Sequence, residues 1–141
     1  MIHYYSEFGR KLEKATEGSF GYDLVATEDG QIPGGKRGIF GTGIYLDASR
    51  GVGIPLVLSR SGLAAKGIIV ANAPGLIDAD YRGEVRVILH NLNQQSHYVS
   101  AGDRIAQLLI VSGIGSDPLM YTSPETFSDT KRGSGGFGST G

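Results

Sequence analysis

Short apolar runs separated by turn-forming residues dominate the first 111 residues of the chain. The five clearest runs are rich in β-branched and aliphatic residues and lie at 39–46, 52–58, 68–70, 85–89 and 105–111. Clusters of Gly, Pro, Asn or Asp separate them at intervals of about 10–20 residues, the spacing typical of an all-β sandwich or barrel. Val85 and Val87 alternate with Glu84 and Arg86, as in a strand with one face on a core. The pattern predicts an all-β fold, and a jelly roll fits it.

One short helix interrupts these strands, at residues 62–66. Ser61 is placed to cap its start, and Gly67 is placed to end it in a left-handed conformation. The strand at 68–70 follows immediately. We therefore expect a single helical turn and no long helix.

The composition supports a single β domain with an unusual end. The 141 residues include 23 Gly and 5 Pro, a share well above the roughly 12% of ordinary usage, while apolar residues at 40% can still supply a core. The final segment, 132–141, holds five glycines and one large apolar residue, Phe137. It is either a frayed tail or a segment that orders over a ligand. We therefore divide the chain into a β core at 1–111, an arm at 112–131 and a flexible glycine-rich terminal segment at 132–141.

Charge and cysteine content exclude several classes of protein. The formal net charge of −1 gives no basic surface for nucleic acid, and the absence of Cys excludes disulfides, zinc–thiolate sites and thiol nucleophiles. There is no apolar run of 18 residues and no apolar signal core at the N-terminus. We expect no membrane partner and a cytoplasmic protein, or one of the host cytoplasm if the source is viral.

Two segments carry candidate chemistry. Arg60 and Ser61 stand at the start of the short helix, where they could bind a phosphate; alternatively, Ser61 is only a helix cap and Arg60 a surface ion-pair partner. The segment 74–84 places three carboxylates near Tyr81, and one of them could act as a general base on water. Aspartates in turns more often only bond to the backbone.

A third segment, 102–107, enters the strongest predicted strand. Asp103 and Arg104 are most simply an ion pair, and Gln107 is expected on the face opposite Ala106. The three histidines show no metal-ligand spacing.

Taken together and in order, five segments resemble the trimeric dUTP pyrophosphatase (dUTPase) family. They are Gly21-Tyr22-Asp23-Leu24, Arg60-Ser61-Gly62-Leu63-Ala64, Gly75-Leu76-Ile77-Asp78-Ala79-Asp80-Tyr81-Arg82-Gly83, Gly102-Asp103-Arg104-Ile105-Ala106-Gln107, and the whole of 132–141. The resemblance spans residues 18–141. It implies a distorted jelly roll or β-barrel of the dUTPase-like β-clip kind, with one short helix and a flexible C-terminal arm, that assembles as a homotrimer.

The activity that the resemblance implies is magnesium-dependent hydrolysis of dUTP to dUMP and diphosphate, which keeps uracil out of DNA and supplies dUMP for dTTP synthesis. In the family, Asp78 would activate the water that attacks the α-phosphorus, and Asp23 would touch Mg²⁺ only through the metal's water shell. Gln107 would act with a triphosphate-binding group that consists of Arg60, Ser61 and Gly62. Arg86 stands where the family often has a basic residue near the nucleotide.

The resemblance also assigns the nucleoside and the lid. Tyr81 would pack against the deoxyribose and exclude a 2′-hydroxyl, and a hairpin over 69–77, including Asn72, Leu76 and Ile77, would read uracil through backbone groups. In the terminal motif, the residues that contact substrate would be Arg132, Phe137, Gly138, Ser139 and Thr140, with Phe137 stacked on uracil. Each site would use Asp78 and Tyr81 from one chain, Arg60, Ser61 and Gln107 from a second, and the terminal motif from a third.

The chain departs from the family pattern in a few places. Ser59 replaces a proline, Phe20 replaces a small residue, and the glycine-rich region 30–43 matches no family element. Two other functions stay open on the sequence: a dCTP deaminase-like enzyme, which lacks support because Ile77 and Asp78 stand where a glutamate base is expected, and an inactive nucleotide-binding regulatory module.

Overall fold

The computed structural model describes residues 2–49, 53–112, 123–124, 130–132 and 134. Ten strands and one helix lie within these residues. In chain order they are β1 (His3–Ser6), β2 (Tyr22–Val25), β3 (Gly30–Ile32), β4 (Arg37–Asp47), β5 (Ile54–Leu58), α1 (Ser61–Ala65), β6 (Ile68–Val70), β7 (Gly75–Leu76), β8 (Glu84–Asn91), β9 (His97–Val99) and β10 (Arg104–Val111). Within the described ranges, no helix is long and apolar enough to cross a membrane.

The strands form three antiparallel sheets around one core. Their orders are β1-β4-β8-β6, β2-β10-β5-β7 and the pair β3-β9. One buried cluster takes side chains from all three, among them Leu24 of β2, Val87 of β8 and Ile32 of β3. In the described residues the ladders stay separate and do not close into one barrel. The prediction of a mostly β fold with one short helix is confirmed.

The predicted strands are present, with shifted ends. β6 has the predicted bounds, while β4, β8 and β10 are longer than predicted by one or more residues. β5 begins at Ile54, whereas the predicted run begins at residue 52. Residues 50–52 lie outside the described residues. The alternation at 84–89 is confirmed, because Val85, Val87 and Leu89 are buried. The shorter strands β1, β2, β3, β7 and β9 were not predicted.

The short helix differs at its start from the predicted one. Ser61 is its first residue and Arg60 occupies the cap position, with no capping bond from a side chain, so the prediction that Ser61 caps the helix is wrong. Gly67 has φ of 82°, which confirms the left-handed ending. The helix is a turn that connects β5 to β6, and Arg60 and Ser61 lie at its first end.

Close packing explains the glycine-rich region 30–43. A Cβ at Gly34 would collide with the backbone carbonyl of Gln94, and Cβ atoms at Gly30 and Gly38 would press on the ring of Phe40. Gly43 has φ of 68° where the β4–β8 register shifts between Gly41 and Tyr45. These glycines are needed for packing and for the bulge.

Asn91 is the buried polar side chain that joins β8 to the β3–β4 turn. It is 0% exposed, and its Nδ2 donates to the carbonyl oxygens of Ile32 at 3.0 Å and Gln95 at 2.7 Å. Its Oδ1 accepts from the backbone N–H of Asn93 at 3.0 Å. All three of these hydrogen bonds are made with the backbone.

Replacement of Asn91 is therefore expected to destabilise the fold. Asn91→Ala leaves these backbone groups without their partner and should lower the free energy of unfolding by about 2–3 kcal/mol. Thermal unfolding at fixed protein concentration measures this. The exposed Gln94→Ala variant is the control and should change stability little. Equal stability of the two variants would contradict the assigned role of Asn91.

Candidate functional site

Six residues that the sequence singled out line one cavity. Its volume is about 330 Å³. The six are Asn72, Leu76, Ile77, Asp78, Tyr81 and Arg86. The rest of the lining comes from Ile39, Val57, Gly75, Glu84, Val85 and Ile88, to which the sequence assigned no substrate contact. Most of these belong to β4, β5, β7 and β8, so the cavity lies where the two four-stranded sheets approach each other.

The loop that carries Asp78 is fixed by a short ladder. β7 pairs with β5 through Leu76 opposite Leu56, and the N–H of Ile77 continues this by donating to the carbonyl of Pro55 at 3.1 Å. Asp78 therefore lies near the start of β5. It is exposed, and its carboxylate makes no hydrogen bond or ion pair with the described residues. A carboxylate placed in this way is free to bind water.

The prediction of a hairpin over 69–77 is wrong as far as pairing is concerned. β6 pairs with β8 and β7 pairs with β5, so the two strands belong to different sheets. The turn between them includes a bond from the N–H of Ala73 to the carbonyl of Val70 at 3.2 Å. The segment crosses from one sheet to the other, and this crossing brings Asn72 to the cavity wall.

Tyr81 is held by its own hydroxyl. The hydroxyl donates to the backbone carbonyl of Glu84 at 2.9 Å, although the side chain is 45% exposed. Gly83 makes this possible, because a Cβ there would collide with the Tyr81 phenol. The ring therefore presents a fixed surface to the cavity.

The Glu84 carboxylate supports the wall from the other side. Its Oε1 accepts from the N–H of Gly43 at 2.9 Å, at the β4 bulge. Tyr45 is opposite Glu84 in the ladder, and burial raises the pKa of its phenol, with smaller contributions from the carboxylates of Glu7 and Glu84. The phenol of Tyr45 thus stays neutral next to Glu84.

A second cluster contains the predicted site residues of segment 1–111 that do not line the cavity. Its members are Asp23, Arg60, Ser61, Gly62 and Gln107. Arg60 Nε lies 3.7 Å from Asp23, and Arg104 Nη1 lies 3.6 Å from the other oxygen of the same carboxylate. Gln107 is opposite Asp23 in the β10–β2 ladder and donates to the carbonyl of Ser59 at 2.8 Å. Ser61 and Gly62 lie in the first turn of α1 next to Arg60.

Some partners in this second cluster were not expected. Arg104 pairs with Asp23 and not with Asp103, whose carboxylate instead accepts from the N–H of Ser100 at 2.9 Å. The departure at Ser59 has a local role, since its hydroxyl accepts from the N–H of Val70 at 2.8 Å. No spacing rule in the sequence indicates the pair of Arg104 with Asp23 or the bond from Val70 to Ser59, because each joins separate segments of the chain.

The two groups of residues lie at opposite ends of β5. Asp78 is near the start of this strand, whereas Gln107 is opposite Leu58 at its end and Arg60 follows two residues later. Ile54 and Leu58 are separated by about 13 Å along the strand. A single chain therefore does not bring Asp78 and Gln107 to the same reacting atom.

The remaining predicted residues belong to the C-terminal motif. Arg132 is described and exposed. The predictions for Phe137, Gly138, Ser139 and Thr140 fall outside the described residues. So does most of the predicted arm and lid.

The described residues fit Mg²⁺ only in a limited way. Nowhere among them do three or more His, Cys, Asp or Glu side chains converge as a metal cage would require. The Asp23 carboxylate faces two guanidinium groups, which fits contact with a hydrated ion more than direct ligation. Mg²⁺ retains several waters at most sites and is commonly held by substrate phosphates.

Comparisons with known proteins agree on one family. A family model described as dUTPase matches residues 9–141. A relative from Rickettsia bellii, named deoxyuridine 5'-triphosphate nucleotidohydrolase, is 45% identical over 137 residues, which are 95% of this chain and 89% of the relative.

Solved structures show the same fold. A mutant dUTPase of Staphylococcus bacteriophage 80alpha with dUpNHpp has a TM-score of 0.84 and 22% identity, over 100% of this chain and 98% of that one. A mutant dUTPase from phage phi11 of S. aureus, whose description names coordination of a structural Mg(II) ion, has a TM-score of 0.75 and 19% identity over 89% and 99% of the two chains. At these identities the likeness concerns the fold alone.

The contact between Glu84 and Gly43 leads to a prediction about stability. Glu84→Ala leaves the partly buried N–H of Gly43 without its acceptor and should lower the free energy of unfolding by about 1–2 kcal/mol. Glu84→Gln keeps an oxygen at the same position and should lose less. Denaturant unfolding of both variants, with the exposed Glu28→Ala as control, measures the difference. A Gln variant as unstable as the Ala variant would contradict the assigned bond.

Proposed function

This chain belongs to the dUTPase family and hydrolyses dUTP; we propose that it releases dUMP and diphosphate at a site that is shared between copies of the chain. The observation that carries this proposal is that the cavity with Asp78 and the second cluster, with Arg60 and Gln107, lie at opposite ends of β5. One group offers a carboxylate and a cavity, and the other offers donors for a triphosphate.

Asp78 is proposed as the general base. Its exposed carboxylate has no other partner among the described residues and can accept a proton from water. The water oxygen attacks the α-phosphorus as its proton passes to Asp78. The bond from the α-phosphorus to the oxygen that bridges to the β-phosphorus breaks, and diphosphate leaves with the electron pair.

The triphosphate is assigned to the second cluster. Arg60 offers a guanidinium, while Ser61, Gly62 and their neighbours in the first turn of α1 offer a hydroxyl and backbone N–H groups. Gln107 orients the attacking water, held by its bond to Ser59. Arg86 adds a positive charge at the cavity wall.

Mg²⁺ is proposed as the cofactor, held mainly by substrate phosphate oxygens with Asp23 in contact through water. The chemistry that a bound ion would supply is partial neutralisation of the negative charge on the departing diphosphate. Asp23 also holds Arg60 and Arg104 side by side, so it orders the phosphate-binding groups whether or not the ion is present.

The nucleoside is assigned to the cavity. The segment with Asn72, Leu76 and Ile77 would bind uracil through backbone groups and leave no space for the 5-methyl of thymine. Such steric exclusion is needed because one methyl group in an apolar pocket changes affinity by only roughly 1–3 kcal/mol. The fixed ring of Tyr81 would pack against the deoxyribose and exclude a 2′-hydroxyl.

A shared site requires oligomerisation, and the family resemblance makes a jelly-roll homotrimer the proposed assembly. One copy supplies Asp78 and Tyr81, and a second supplies Arg60, Ser61 and Gln107. The terminal motif of a third, with Arg132, Phe137, Gly138, Ser139 and Thr140, is proposed to close over the nucleotide. The separation of the first two groups within one chain supports this division.

Replacement of the proposed base tests the mechanism. Asp78→Asn keeps the shape of the side chain but cannot accept the proton, so hydrolysis should fall by at least about 10²-fold while binding of the analogue dUpNHpp is retained. Release of diphosphate from dUTP and of ammonia from dCTP is followed in parallel. The exposed Asp29→Asn variant is the control. A hydrolysis rate for Asp78→Asn equal to that of the control would sink the mechanism.

A mixing experiment tests the shared site. Arg60→Ala and Asp78→Asn chains, each inactive alone, are unfolded together and refolded as a mixture. Random assembly should leave about one site in four with both residues intact, so activity should return to about a quarter of wild type.

The matched control mixes Asp78→Asn with Tyr81→Ala. Both changes affect the same cavity and no chain then carries both residues, so the mixture should show no activity beyond the average of the two variants assayed alone. Recovery in neither mixture would show that each site lies within one chain.

A further inference from the structure

Arg82 connects the loop that carries Asp78 to the end of β4. Its Nη1 donates to the backbone carbonyls of Ala79 at 2.7 Å and Tyr81 at 3.1 Å. Its Nη2 lies 3.1 Å from Asp47 Oδ1 and also donates to the Ser49 hydroxyl at 3.1 Å. One side chain thus links two carbonyls of the loop to two residues of a distant segment.

The segment that receives Arg82 is itself well ordered. Asp47 is the last residue of β4 and is paired with His3 of β1. Its Oδ1 accepts from both the N–H of Ser49 at 3.1 Å and the Ser49 hydroxyl at 2.5 Å. Arg82 is therefore anchored to the end of β4, which belongs to a different four-stranded sheet from β7.

The contacts of Arg82 suit positioning more than stability. The side chain is 51% exposed and that of Asp47 31%, so the ion pair is weakened by solvent. The fork of the guanidinium fixes directions, which a flexible ammonium does not do in the same way. Between Ile77 and the Tyr81 ring, the loop has one internal backbone bond, from the N–H of Tyr81 to the carbonyl of Asp78 at 3.1 Å. Arg82 adds the second restraint on this turn.

We propose that Arg82 is a positioning residue for hydrolysis, which holds the turn 78–81 so that the Asp78 carboxylate points at the attacking water. The inference rests on the proposed role of Asp78. It gives Arg82 no contact with substrate. The Tyr81 ring is held separately by its bond to Glu84, so the orientation of Asp78 depends on Arg82 more than the orientation of the ring does.

The expected effect is a loss of rate with little loss of binding or stability. Arg82→Gln removes the fork and should lower kcat by about 10- to 100-fold, because a displacement of about 1 Å at a catalytic group has effects of this size. KM and the affinity for dUpNHpp should change by less than about threefold. The preference for dUTP over UTP, which reports on the Tyr81 ring, should be retained.

A series of variants separates positioning from charge and from folding. Arg82→Lys keeps the charge but cannot reproduce the fork, so it should recover only part of the lost kcat. Arg37→Gln, an exposed arginine of β4 outside both groups of site residues, is the control and should match wild type. Thermal unfolding of each variant at equal concentration checks that Arg82→Gln remains folded.

The outcomes are distinct. Loss of kcat with unchanged melting temperature and unchanged dUTP preference supports the inference. Three results overturn it. They are a wild-type kcat in Arg82→Gln, full recovery of kcat by Arg82→Lys, and a fall in kcat that is accompanied by a similar fold loss of dUpNHpp affinity and a lower melting temperature. Asp78→Asn in the same assay keeps the two proposals apart, since normal hydrolysis by that variant overturns the role of Asp78 itself.

Discussion

The pairing of β5 with β10 on one side and β7 on the other is the constraint on which the rest of the site depends. This register places the Asp78 loop at one end of β5 and Gln107 at the other. Neither end can move toward the other without breaking the ladder. Each group of polar residues is therefore well positioned within itself, and the distance between the two groups is fixed by the length of a strand.

The sequence predicted the strands that bury a continuous apolar run, and it missed those whose pairing depends on distant segments. β4, β5, β6, β8 and β10 all carry apolar residues at strand period. β7 has two residues and β3 and β9 have three each, so their strand conformation comes from tertiary pairing and not from local preference. The hairpin over 69–77 was implied by the family resemblance, whereas in the structure β6 pairs with β8 and β7 pairs with β5.

Most of the candidate site was predictable by residue, but its internal contacts were not. Asp78, Tyr81 and Asn72 were named from the sequence and do meet at one cavity. The bond from Tyr81 to the Glu84 carbonyl, the pairing of Arg104 with Asp23 and the bridge from Arg82 to Asp47 were not, because each depends on backbone positions in three dimensions. The glycines at 30, 34 and 38 were likewise unexplained until the neighbouring ring and carbonyl were placed.

The division of the polar residues between the two ends of β5 also bears on when the protein becomes an enzyme. In the proposed assembly, a newly made chain can fold its sheets, order both groups of residues and still have no complete site. Nucleotide turnover then begins with the meeting of copies and not with folding. The activity in a cell would then depend on how many chains have assembled. At high dilution the same chains would lose activity without unfolding.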